Sequence, residues 1–191
     1  MEKSLSSQES LALITQMINQ SKQNYNKSSF YFLLWGWVVV VADLGHYYLM
    51  EFTSYSHPYI VWLITIPAWI ACAIYGSRQS NRAKVKTHMD SIYQTVWIAF
   101  AFPVCVVIFG GGIIGPNNIT GLIMLMAGYA LVITGKVLKF RPIFYGGLVL
   151  WAAALLALYF NDSSQYLIGA IGIALGYLVP GYMMKSKENN A

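Results

Sequence analysis

The chain has 191 residues, 57% of them hydrophobic and only 10% charged, with a formal net charge of +5. About a quarter of a soluble globular sequence is charged, so a water-soluble globule is excluded. No basic run sits in the folded context that a nucleic-acid-reading module needs, so nucleic acid is not expected as a partner.

Residues 1–29 are polar and form a candidate cytosolic arm. Ser6 and Glu9 have capping-box spacing, and Leu11, Ile14, Ile18 and Tyr25 recur on one narrow helical face. An amphipathic helix is therefore expected over 6–25. Its opposite face carries Gln8, Thr15, Gln16, Asn19 and Gln23, with chiefly Lys22 for positive charge. Helices that adhere to anionic membrane carry many more cations. The apolar stripe is expected to pack on the protein's own loops, or to pair with a second copy or a cytosolic protein partner.

Six apolar stretches follow, roughly 30–50, 58–76, 92–110, 119–138, 142–160 and 166–184. Each can cross ~30 Å of hydrocarbon at ~1.5 Å per residue. The first is about 20 residues long, beyond the 7–15 of a signal-peptide core, and is expected to stay as an uncleaved anchor. Lys3, Lys22 and Lys27 precede it. The other basic residues are Arg78, Arg82, Lys84, Lys86, Lys136, Lys139, Arg141, Lys185 and Lys187, all on the same side of the six-span reading. The positive-inside rule then puts both termini in the cytosol. The expected architecture is an all-α integral membrane protein: the arm, a six-helix bundle over 30–184 set in the lipid bilayer, and a cytosolic tail over 185–191.

Aromatic residues bracket the spans, among them Trp35, Trp37, Tyr59, Trp62, Trp97, Tyr159 and Tyr166, and read as interfacial belts. Pro67, Pro103 and Pro180 are expected to kink spans two, three and six. Gly169, Gly172 and Gly176 make a stripe on span six that lets another helix approach closely, so a homodimer through it is plausible. Cys72 and Cys105 fall at different depths, too far apart for a disulfide.

Asp43 is the acidic residue within a hydrocarbon span. An ionised carboxylate there is costly unless paired, hydrated or protonated, which makes it a functional candidate. His46 follows one turn later on the same face, and Glu51 and His57 lie towards the outer loop. The four could shuttle protons or bind a small solute. They could also satisfy one another within the bundle. Neither His-x-x-x-His nor paired Glu-x-x-His spacing is present, so no metal ligands are assigned and no cofactor is expected. The chain lacks a Gly-x-Ser-x-Gly elbow, a His-Glu-x-x-His motif and a Walker sequence, and the expectation is a non-enzymatic protein.

Leu11-Ala-Leu-Ile-Thr-Gln-Met-Ile-Asn-Gln-Ser-Lys-Gln-Asn-Tyr25 before a Trp-Gly-Trp span, and Arg82-Ala-Lys-Val-Lys-Thr87 before the Trp97 span, resemble a group of small uncharacterised bacterial inner-membrane proteins. The resemblance covers the first half best. It implies a polar N-terminal helix, six spans, a basic middle loop and a multi-pass inner-membrane location. Some members of that group lie beside winged-helix regulators, which favours a sensor or regulatory role over bulk transport. It carries no functional residue across.

Overall fold

The computed structural model describes residues 7–82, 88–160 and 162–189, with side chains described for Gln8, Leu11 and residues 29–78, 91–160 and 162–187. Ser6, the expected helix cap, lies outside them. Every element among the described residues is helical.

The first helix, α1, runs from Ser7 to Phe52 without a break. A separate arm helix and first span were expected; one helix forms because no proline occurs before Pro58 and Asn26-Lys27-Ser28-Ser29 offers no glycine to end it. A 3-10 turn, Pro58–Ile64, leads into α2 (Thr65–Arg82). Then come α3 (His88–Phe109), the short α4 (Gly111–Ile114), a 3-10 turn at Pro116–Asn118, and α5 (Ile119–Val137). The helix α6 spans Arg141–Phe160. Span six is α7 (Ser164–Ile173), a π turn over Ala174–Leu178, and α8 (Val179–Asn189).

Six segments are long and apolar enough to cross a membrane: Ser29–Phe52, Pro58–Arg78, Ser91–Phe109, Pro116–Val137, Arg141–Phe160 and Ser164–Lys187. Their packing is unequal. Spans one, four, five and six enclose the core around Phe32, Leu131, Ile143, Leu150 and Met184, while spans two and three bury few of their side chains fully. Span two lies along α1, with Phe30 stacked on Tyr75 at 4.1 Å and Trp35 edge-on to Trp69 at 5.2 Å. Span three lies chiefly along α5.

The α5–α6 hairpin is the most intimate pair, and glycine makes it possible. Gly121, Gly128 and Gly135 recur at heptad spacing on α5. A methyl group on Gly135 would lie 2.5 Å from the Phe144 amide nitrogen, and one on Gly128 would lie 2.3 Å from the Trp151 ring. Such contacts are possible only when the backbones themselves touch. The hairpin turns through a Schellman motif: the Phe140 N–H donates to the Gly135 carbonyl and the Lys139 N–H to the Lys136 carbonyl. Lys139 occupies the left-handed position of that motif, with φ 51°. Glycine is usual there, and a side chain costs about 1–2 kcal/mol.

The prolines act differently from expectation at one position. Pro103 lies inside α3, but Pro67 falls in the first turn of α2, just after the 3-10 turn. A first-turn proline removes a donor that has no α-helical acceptor, so it costs α2 no hydrogen bond. Pro180 follows the π turn, in which the Val179 N–H donates to the Ala174 carbonyl.

Candidate functional site

Helix α1 and span six run antiparallel, which brings Asp43 to Gly169, His46 to Tyr166 and Glu51 to Ser163. Towards the basic end the same register stacks Phe32 on Tyr177 at 4.6 Å and lets the Trp37 indole N–H donate to the Tyr182 hydroxyl at 2.9 Å.

Asp43 is 2% exposed, and its Oδ1 has no hydrogen-bond partner among the described residues. Its Oδ2 faces the space a side chain at 169 would fill, 2.8 Å from a methyl group placed on Gly169. That glycine makes room for the carboxyl group. His46, one turn away and 7% exposed, is held on two sides. Its ring stacks on Tyr166 at 3.8 Å, and its Nδ1 accepts a 2.9 Å hydrogen bond from the Trp62 indole N–H. With Nδ1 accepting, the neutral ring carries its proton on Nε2. Tyr166 in turn lies within hydrogen-bonding reach of Thr120 at the start of α5. Gln165 is also buried, with an unpartnered Oε1. Spans one, two, four and six thus converge on one polar layer.

Unpaired polar atoms in such a setting are costly, each by about 1–3 kcal/mol. Two of the four such atoms among the described residues, on Asp43 and Gln165, fall in this layer, the other two being on Trp97 and Thr134. The arrangement can hold a proton on Asp43.

The four candidates from the sequence divide into two levels. Asp43 and His46 are together and buried, whereas Glu51 and His57 are exposed at the rim. Glu51 accepts from the Ser163 hydroxyl, and His57 Nδ1 pairs with the Tyr59 hydroxyl at 3.1 Å. No three His, Cys, Asp or Glu side chains among the described residues are grouped so as to hold a metal ion.

Of the glycine stripe, Gly169 faces Asp43, Gly172 faces Ala153 and Met124, and Gly176 faces Gly146. All three are buried within the chain, so this face is not free for a second copy. Along the arm, Leu11 is 64% exposed; the side chains of Ile14, Ile18 and Tyr25 lie outside the described ones, although their backbone belongs to α1.

By sequence Trp62 and Tyr166 read as interfacial belt residues, and Thr120 and Gln165 do not stand out. The available signal for the last two was polarity at a span end. For the aromatics there was none, because a ring at a span boundary reads the same whether it meets lipid or a histidine. No family model, curated protein or solved structure matches this chain.

Proposed function

We propose that this chain is a non-enzymatic multi-pass protein of a bacterial inner membrane, with both termini cytosolic, that acts as a sensor or regulatory partner through its N-terminal arm. The observation that carries the reading is the continuity of α1 from Ser7 to Phe52. The helix that holds Asp43 and His46 in the polar layer is also the helix that leaves the bundle as the arm. A change of occupancy or protonation beside Asp43 that shifts α1 by an ångström or two is carried to residues 7–28 as a rigid displacement. The basic end from which the arm emerges is the cytosolic one under the positive-inside rule. There the stripe of Leu11, Ile14, Ile18 and Tyr25 offers a helical face to a cytosolic protein or a second copy.

The test compares the full chain in nanodiscs with one lacking residues 1–25, by affinity capture and by oligomeric mass. Loss of a partner or of an oligomer on truncation is the expected result. An unchanged partner set together with an unchanged mass contradicts this role.

A second reading is favoured by the unpartnered Oδ1 of Asp43: a small transporter or channel passing protons, ions or small solutes along the Asp43–His46 layer. It requires that Asp43→Asn, nearly isosteric, leaves the protein folded and abolishes a pH-dependent flux in proteoliposomes. Equal flux in the wild type and the variant removes it.

A further inference from the structure

The basic end of the bundle holds a second feature, remote from Asp43. A cavity of about 310 Å³ opens at the α5–α6 turn, lined by Gly135, Lys136, Lys139, Arg141, Phe144 and Tyr145. That volume is within the range of small-ligand pockets, about 300–1,000 Å³. Its three cations come from six consecutive residues, and no carboxylate is among the described residues that line it. The sequence has no acidic residue between Asp90 and Asp162. The carbonyls of Thr134, Gly135 and Lys136 accept from the amides of Leu138, Phe140 and Lys139, which fixes the backbone of the turn.

One detail shows a cation held in position, and a second sets Lys139 apart. The Lys136 ammonium sits over the Phe144 ring, 4.8 Å from its centre, which fixes a flexible side chain at the cavity wall. Lys139 takes the left-handed backbone position that glycine fills at less cost. Lys187, from the end of span six, adds a fourth positive charge over the Phe140 ring at 5.3 Å.

We propose that this cavity binds the phosphate of an anionic phospholipid headgroup. A phosphate monoanion matches three cationic donors lining one cavity with no carboxylate among the described lining residues. A lipid rather than a free ion is indicated by the other half of the cavity. The Phe144 ring gives a soluble anion nothing, and the Tyr145 ring, 60% exposed, lies at the edge where the apolar span begins. Beyond it Leu148, Val149, Leu155 and Leu156 continue an exposed apolar stripe along α6, along which an acyl chain can lie while its headgroup stays at the turn.

The experiment titrates detergent-purified full-length protein with short-chain phosphatidylglycerol, short-chain phosphatidylcholine and inorganic phosphate, read by native mass spectrometry and thermal unfolding. Phosphatidylglycerol is expected to bind saturably and to raise the unfolding midpoint, the other two only weakly. Lys136→Gln/Lys139→Gln/Arg141→Gln is expected to lose about a hundredfold in affinity, at about fivefold per cation. Lys185→Gln, outside the cavity, should keep wild-type affinity. Should the triple variant fail to fold, Lys139→Gly decides the matter: glycine suits the left-handed position, so the lipid-free midpoint rises while phosphatidylglycerol affinity falls. Wild-type affinity in the Lys139→Gly or triple variant overturns the proposal. Inorganic phosphate binding as tightly as the lipid overturns it too, and assigns the cavity to a free anion.

Discussion

Asp43 and Gly169 constrain each other across the contact between α1 and α7. A methyl group at 169 would press on a carboxylate oxygen at 2.8 Å, and neither backbone can retreat without opening the register that also holds His46 on Tyr166. Gly169→Ala is therefore expected to destabilise the protein by about 1–3 kcal/mol, the usual range for overpacking. Asp43→Ala in the same chain should return much of that loss, giving a coupling of the size seen for residues in direct contact. Additive losses in thermal unfolding of the two single variants and the double one would show that the two residues do not touch. Asp43 and His46 were legible as a pair because a three-residue spacing fixes them on one face whatever the fold. Their partners were not. Trp62 is 16 positions from His46 and Tyr166 is 120 positions away, and only tertiary packing separates a histidine's partner from a belt aromatic.

At the scale of elements, the six spans follow from length and apolarity, which the bilayer imposes on every crossing helix alike. Their mutual packing follows from where side chains are missing, and that is harder to read. The glycines of span six announce a close approach without naming the neighbour, which turns out to be Asp43 for one and span five for the others. The heptad of Gly121, Gly128 and Gly135 was equally visible, but its meaning depends on α6 lying alongside. Gly146 is the sharpest case: a methyl group there would lie 2.1 Å from the Gly176 carbonyl oxygen, inside the π turn. Gly146→Ala must separate α6 from span six, and we expect a loss of about 3 kcal/mol or more. A midpoint of unfolding within a degree or two of wild type would contradict that contact. The fusion of the arm with span one was missed for a plain reason. A capping box marks where a helix can start, and the change from polar to apolar residues at Phe30 marks where lipid begins. Neither marks where a helix ends.

On the scale of the whole molecule, four spans form a packed bundle, two lie at its edge, and one helix extends beyond it. At ~1.5 Å per residue, the stretch from Ser7 to Ser28 projects roughly 30 Å past the start of span one. A protein that only anchors itself has no need of a rigid extension in register with a buried carboxylate, and the proposed coupling rests on that rigidity. The most direct test places spin labels at Gln8 and Val41, both exposed, in a chain whose Cys72 and Cys105 are replaced by serine. The distance between them is then measured by pulsed electron resonance in nanodiscs. A continuous helix requires a narrow distribution centred at about 50 Å, the rise of the intervening residues. A broad distribution, or one centred near 35 Å because the arm folds back on the bundle, would contradict α1 as a single lever and with it the proposed route from Asp43 to the arm.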